Sequence, residues 1–77
     1  MKHAHDKYNG RIVDLEGRIP KDEPVFLLRA QDKFAHLAVM FWAELVNAAG
    51  DSELAKKARL QARKMEDWAF KKVPDQE

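Results

Sequence analysis

The clearest candidates for ligand chemistry in this 77-residue chain are Arg29, Gln31 and Asp32, which follow an apolar run. If a helix begins here, its first backbone N–H groups face outward and can receive an anion. Arg29 can then clamp a carboxylate or a phosphate through two parallel hydrogen bonds. In the local alternative, Asp32 caps the helix, Gln31 bonds to backbone groups, and Arg29 pairs with Asp22 or Glu23. We name the three residues as a candidate site for a small anionic ligand.

Histidine chemistry is confined to the N-terminus and to one later position. Met1-Lys2-His3 with a free amine can hold copper(II) or nickel(II) in a square-planar nitrogen site, the geometry typical of these ions. A flexible tail explains the same residues without a metal, so no metal site is predicted. His36 lies on the polar side of a predicted helix, where we expect a solvated surface residue.

The chain lacks the residues of a nucleophilic active site. Its single serine, Ser52, is needed to open a helix, and it has no threonine or cysteine. Covalent catalysis requires a nucleophile held beside a base. Asp22 and Glu23 are adjacent, but a turn or helix start before Pro24 accounts for them. No phosphate-binding glycine loop is present. We predict a protein that is not an enzyme and uses no cofactor.

Composition points to a small globular protein that needs help to build a core. Hydrophobic residues make up 45% and charged residues 35% of the chain, and its net charge is +1. A domain this small hides only about 60% of the surface that its unfolded chain exposes. Cysteine is absent, which excludes disulfides and thiolate metal sites and fits a cytoplasmic location. A partner chain is therefore the expected source of extra stability.

No membrane segment or signal peptide is predicted. The longest mostly apolar run, Leu37–Val46, has about half the length needed to cross a bilayer. The polar N-terminus has no apolar stretch behind it, so the pattern of a signal peptide is missing.

Apolar periodicity predicts two helices joined by a tight turn. The first covers residues 31–49, with Asp32 as its N-cap and Gly50 just beyond its C-terminus. The second covers residues 51–72 and is opened by Asp51 or Ser52. A loop this short makes the helices antiparallel neighbours. The predicted class is mainly α, an antiparallel helical hairpin.

The region before the hairpin is predicted to be irregular. Residues 1–7 are expected to be flexible, and residues 8–30 extended, because glycines and prolines interrupt them. Residues 11–15 alternate like a half-buried strand. Residues 25–30 form an apolar run that suits either a strand or the first turns of a helix. The hairpin is thus preceded by an extended segment or a small β-hairpin, with the α+β class as the alternative.

The first helix carries more apolar surface than one neighbour can cover. Its apolar arc spans roughly 200°, and we expect Phe41 to lie in its core stripe. We therefore predict a homodimer or larger homo-oligomer. Its interface residues are predicted to be Val39, Trp42, Val46 and Phe70. The stripe of the first helix consists of Phe34, Leu37, Ala38, Phe41, Leu45 and Ala48; that of the second consists of Leu54, Ala55, Ala58, Ala62, Met65, Trp68 and Ala69.

The second helix is basic. Residues 51–72 hold seven basic and four acidic side chains, a net charge of +3. Such a helix beside a turn suggests a nucleic-acid-binding accessory factor that uses Lys56, Arg59, Arg63 and Lys64. A solvated face with pairs such as Glu53–Lys57 explains the same charges. A helix-turn-helix would also need a third, supporting helix. Nucleic-acid binding is therefore the alternative prediction.

The densest motif is Ile19–Asp32, which reads IPKDEPVFLLRAQD. It resembles a motif in short uncharacterised proteins of phages and prophage-bearing bacteria, which also continue into a helical hairpin with aromatic residues. The likeness covers residues 17–70 and is specific in the fourteen quoted residues. It implies an accessory protein that acts by binding, and it transfers no catalytic residue. The predicted function is a non-enzymatic, homo-oligomeric cytoplasmic protein that binds a host protein or a small anionic ligand.

Overall fold

The computed structural model describes residues 2–4 and 6–73 and confirms the predicted class. Two helices pack against each other behind an N-terminal segment with little regular structure. Met1, the first residue of the possible copper or nickel site, lies outside the described residues. The elements are β1 (Lys2–His3), a 3₁₀ turn (Asp6–Tyr8), β2 (Pro24–Val25), α1 (Ala35–Ala48) and α2 (Ser52–Glu66).

Helix α1 begins later than its sequence pattern predicts. The carboxylate of Asp32 accepts a hydrogen bond from the Phe34 N–H at 2.8 Å, two residues along the chain. This turn precedes the helix, and the N-cap position is Phe34, which has no capping side-chain bond. Asp32 as N-cap is therefore wrong. The other end follows the prediction, because Gly50 has a φ of 103°, a left-handed conformation that glycine adopts without strain.

Helix α2 begins where expected. The side chain of Asp51 accepts a hydrogen bond from the Leu54 N–H at 3.0 Å, which satisfies one of the free donors of the first turn. Glu53 adds a favourable negative charge in that turn. Of the two predicted caps, Asp51 and Ser52, the structure uses Asp51.

Helix α2 ends at Glu66 rather than near residue 72. Beyond it, the chain turns back and pairs with the segment before α1. The Lys72 N–H donates to the Gln31 carbonyl at 2.7 Å, and the Lys33 N–H donates to the Lys72 carbonyl at 3.1 Å. In a helix that continued to residue 72, the backbone groups of Lys72 would bond within that helix. Because they pair with the segment before α1 instead, α2 ends earlier than predicted.

Contacts between the helices show that they run antiparallel. His36, near the start of α1, lies beside Glu66, the last residue of α2, with 3.9 Å between the imidazole Nε2 and a carboxylate oxygen. Farther along, Arg59 donates to Glu44 at 3.2 Å. The start of one helix thus faces the end of the other.

Strands β1 and β2 pair in parallel, with Lys2 opposite Pro24 and His3 opposite Val25. Of the two alternatives predicted for this region, the structure has the extended segment and not the β-hairpin, since a hairpin joins antiparallel strands. Residues 11–15 are not a strand, and residues 26–30 have no regular structure. Within the described part of the chain, β1 contacts β2 and the 3₁₀ turn, but none of these elements packs on α1 or α2.

The interface between the helices is built from small side chains. No large side chain among the described residues is fully buried, and Phe41 is 66% exposed. The expectation that Phe41 lies in the core is therefore wrong. Alanines on both helices allow a close approach, so α1 turns its alanine face to α2. The buried apolar residues are Tyr8, Ala35, Ala43, Ala55, Ala62 and Met65, and the last three belong to the predicted stripe of α2.

Candidate functional site

One candidate binding surface is the side of α1 that faces away from α2. It consists of Phe34, Leu37, Phe41 and Leu45, and we call it the outer face of α1. These four side chains are 51%, 58%, 66% and 56% exposed. At 100° per residue, their centre lies roughly opposite the buried Ala43. The most apolar side of the helix is therefore the side that α2 leaves uncovered.

The four predicted interface residues do not form one surface. Trp42 is 48% exposed at the edge of the outer face of α1. Val39 and Val46 are half-buried and lie on the side of α1 that carries Ala43, toward α2. Phe70 is exposed after the end of α2, where it lines a separate groove. Of the four, only Trp42 belongs beside the outer face of α1.

The chain exposes more surface than a compact monomer of its mass. Its accessible surface is 6100 Å². A monomeric protein of 8.9 kDa exposes roughly 4,800 Å². The excess of roughly 1,300 Å² is more than the roughly 800 Å² that each partner buries in a stable interface.

A groove of about 370 Å³ lies between the segment before α1 and the segment after α2. We call it the Arg29 groove. Arg29, Ala30 and Gln31 line one side, and Trp68 and Phe70 line the other. Two of the three predicted site residues, Arg29 and Gln31, thus line one groove. The third, Asp32, is not among the lining residues, because its carboxylate holds the Phe34 N–H.

Arg29 is exposed, and no carboxylate of residues 2–4 or 6–73 forms an ion pair with its guanidinium. The local alternative, in which Arg29 pairs with Asp22 or Glu23, is not observed among these residues. The sequence pattern did not indicate Trp68 and Phe70 as lining residues, because they reach the groove only when α2 ends at Glu66.

Lys71 holds the two sides of the Arg29 groove together. Its ammonium group donates to the Ala30 carbonyl at 2.9 Å and also to the Met65 carbonyl, and the residue is half-buried. The backbone bonds of Lys72 with Gln31 and Lys33 run alongside. The groove is therefore formed before any ligand arrives.

His36 is placed differently from the sequence expectation. Its side chain is only 18% exposed and lies between the helices beside Glu66. Its Nδ1 is buried and has no hydrogen-bond partner among the described residues. The expectation of a solvated surface histidine is wrong, because the start of α1 lies against the end of α2.

The basic residues of α2 are placed along its exposed sides. Arg59 is held by Glu44. Lys56, Arg63 and Lys64 are exposed, and they form no ion pair with the described residues. Apart from a three-residue 3₁₀ turn, residues 2–4 and 6–73 contain no third helix that could support a helix-turn-helix.

A second groove, of about 460 Å³, lies in the N-terminal segment. Apolar side chains such as Val13, Leu15 and Phe26 dominate its lining. Its acidic members are occupied locally. Asp14 accepts from the Ile19 N–H at 2.7 Å, and Glu16 pairs with Arg18 at 2.7 Å. The groove therefore offers apolar contact with little polar recognition.

Two kinds of feature are absent from the described residues. No group of three or more His, Cys, Asp or Glu side chains is placed to hold a metal ion. No helix in this part of the chain is both long and apolar enough to cross a bilayer.

Comparison with protein-family models, with curated proteins and with solved structures finds no match to this chain. The resemblance of Ile19–Asp32 to phage and prophage proteins stays a prediction.

Proposed function

We propose that the protein is a non-enzymatic binding protein that works as a homodimer, with the outer face of α1 joining the two copies. The observation that carries this proposal is the exposure of Phe34, Leu37, Phe41 and Leu45 on one side of one helix. Contiguous exposed apolar side chains of this size favour an interaction surface over a solvated one.

A second copy suits this surface better than an unrelated partner. A two-fold interface brings the same patch of both copies together, so the patch must not repel itself. The four side chains of the outer face of α1 are uncharged. The charged groups beside them are the Lys33 ammonium, 5.3 Å from the centroid of the Phe34 ring, and the Glu44 carboxylate, which is paired with Arg59. The uncharged centre of the face can therefore pack against itself. The excess surface of roughly 1,300 Å² is large enough to supply the roughly 800 Å² that one chain gives up in a dimer of standard size.

Dimerisation also completes the architecture. A small domain buries its apolar faces around one core. In a single copy, alanines line the interface between α1 and α2, and no large side chain among the described residues is fully buried. In the proposed dimer, α1 lies between α2 and the α1 helix of the second copy, and the large apolar side chains form the missing core. Trp42 packs at the edge of this core.

The non-enzymatic role is supported by the placement of the groups that could react. Ser52 is the first residue of α2 and is exposed. His36 lies between the helices beside Glu66. Ser52 and His36 lie at the starts of two antiparallel helices, so they do not form a nucleophile–base pair. The cysteine-free composition supports a cytoplasmic location. What the dimer binds, in this proposal, is a small anionic ligand.

The test is sedimentation equilibrium of the wild type and of Phe41→Glu. We expect the wild type to have twice the mass of 8.9 kDa at micromolar concentration. We expect Phe41→Glu to dissociate at least about 100-fold more readily, because each interface would bury two unpaired carboxylates. The control is Leu60→Glu, which changes a 55% exposed residue on α2 and should leave the mass unchanged. A wild type that stays monomeric at millimolar concentration, or an equal loss in both variants, contradicts the proposal.

Nucleic-acid binding is the second candidate, and the observation that favours it is the exposure of Lys56, Arg63 and Lys64. Arg59 contributes less than predicted, because Glu44 already pairs with it. Phosphate contacts would make the affinity for a nucleic acid fall steeply as salt is added. Titration of a short DNA duplex at two salt concentrations distinguishes this candidate, since a protein interface changes much less.

A further inference from the structure

We infer that the Arg29 groove binds a small aromatic carboxylate. This inference rests on the proposed role as a binding protein for a small anion, but it does not require the dimer. Four features of the groove support it: an unpaired cation, two exposed aromatic side chains, a hydrogen-bonding amide, and a frame that is already assembled.

The charge of the groove selects an anion. Arg29 is the only charged residue among those that line it, and no described carboxylate neutralises the guanidinium. A guanidinium presents parallel N–H donors that match the two oxygens of a carboxylate. Beside it, Gln31 carries an amide that can donate to a ligand oxygen or accept from a ligand N–H group.

The aromatic wall of the groove favours a flat, apolar part of a ligand. Trp68 is 57% exposed and Phe70 is 59% exposed, although large aromatic side chains are usually covered. Both line the groove that Arg29 enters from the other side. Aromatic rings favour stacked or edge-to-face contact with another ring. A bare phosphate would leave this wall unused, whereas a ring with one carboxylate would use both walls.

The frame of the groove explains how a small ligand can bind without ordering the chain first. Lys71 donates to the Ala30 carbonyl on one side and to the Met65 carbonyl at the end of α2. The Lys72 N–H bonds to the Gln31 carbonyl at 2.7 Å. These bonds fix the two walls in advance, which lowers the entropy lost on binding. A volume of about 370 Å³ is at the lower end of the range of small-molecule sites.

The experiment is a titration of the ¹⁵N-labelled full chain, with naphthalene-2-carboxylate as the probe. The chain has two tryptophans, Trp42 and Trp68, whose indole N–H signals report on the outer face of α1 and on the Arg29 groove. We expect the Trp68 signal to shift and the Trp42 signal to stay. The neutral naphthalene-2-carboxamide should bind at least about tenfold more weakly, because it cannot form the charged pair. Inorganic phosphate should shift neither signal.

The matched variants are Arg29→Gln and Arg18→Gln. Arg18 is an exposed arginine that pairs with Glu16 away from the groove. We expect Arg29→Gln to weaken the carboxylate about tenfold or more and to remove its advantage over the carboxamide. Arg18→Gln should change neither affinity. Phe70→Ala should weaken both probes alike, because it removes apolar contact and leaves the charge.

Three results would overturn the inference: equal affinities for the acid and the amide, an Arg29→Gln variant that binds like the wild type, or shifts confined to Trp42. The mass of the same samples separates this result from the dimer proposal. A monomer whose Trp68 responds to the carboxylate supports the groove and contradicts the dimer. A dimer whose Trp68 does not respond contradicts the groove alone.

Discussion

The two sides of α1 are both apolar, yet they differ in what covers them. The side toward α2 carries Ala35 and Ala43, which are 1% and 0% exposed. The outer face of α1 carries Phe41 and its apolar neighbours, and Phe41 is 66% exposed. Helix α1 thus buries its smallest apolar side chains against α2 and leaves its largest ones exposed.

The difference has a geometric origin. Alanines opposite alanines let two helix backbones approach closely, and the short connection between α1 and α2 holds them there. Large side chains on that side would push the helices apart. The outer face has no such constraint and offers far more area to a second surface. The inner side therefore determines the hairpin, and the outer side is available for assembly.

The largest expected effect comes from enlarging the inner side. Ala43→Leu inserts a side chain into a fully buried position, and overpacking of this kind costs about 1–3 kcal/mol. The free energy of unfolding, measured by urea denaturation, should fall by that amount. Ala48→Leu makes the same change at an exposed position of α1 and should cost far less. Equal losses in the two variants would mean that the inner side is not closely packed.

A smaller effect, of opposite sign, is expected from replacing His36, the polar side chain on the inner side of α1. The His36 Nδ1 is buried without a partner among the described residues, and such a group costs about 1–3 kcal/mol. His36→Leu should therefore raise the free energy of unfolding by about 1 kcal/mol, since the distant Glu66 contact contributes little. Asn47→Leu, at an exposed position of the same helix, is the control. A clear loss of stability in His36→Leu would show that the imidazole has a stabilising partner.

The smallest effect is expected at the rim between the helices. Arg59 and Glu44 are 39% and 67% exposed, and ion pairs of this kind contribute about 0.2–1 kcal/mol. Thermal denaturation of Arg59→Met, Glu44→Gln and the double variant measures this coupling directly. Arg63→Met serves as a control without a described ion-pair partner. A coupling above about 2 kcal/mol would shift the main source of hairpin stability from packing to electrostatics.

The hairpin could be predicted because its signals are local. Asp51 and Gly50 mark a helix start and a helix end by their own chemistry, and the structure uses both as expected. The end of α2 could not be predicted, because it depends on the pairing of Lys72 with Gln31, 41 positions apart in the chain. Long-range backbone pairing leaves no periodic signal.

The same distinction applies to the candidate site. Arg29 and Gln31 were identified from their position after an apolar run, and both line the groove. Trp68 and Phe70 join them only through the fold of the segment after α2. The sequence pattern also could not predict that the alanine side of α1 packs against α2. An arc of apolar residues does not specify which part of the arc contacts the neighbouring helix.

The measurement that tests the outer face of α1 most directly is an isotope-filtered nuclear Overhauser experiment. One half of the sample is labelled with ¹³C and ¹⁵N and the other half is unlabelled, so that only contacts between copies are recorded. We expect intermolecular signals from Leu37, Phe41 and Leu45. An absence of such signals at millimolar concentration, or signals only from Leu60 on α2, would contradict it.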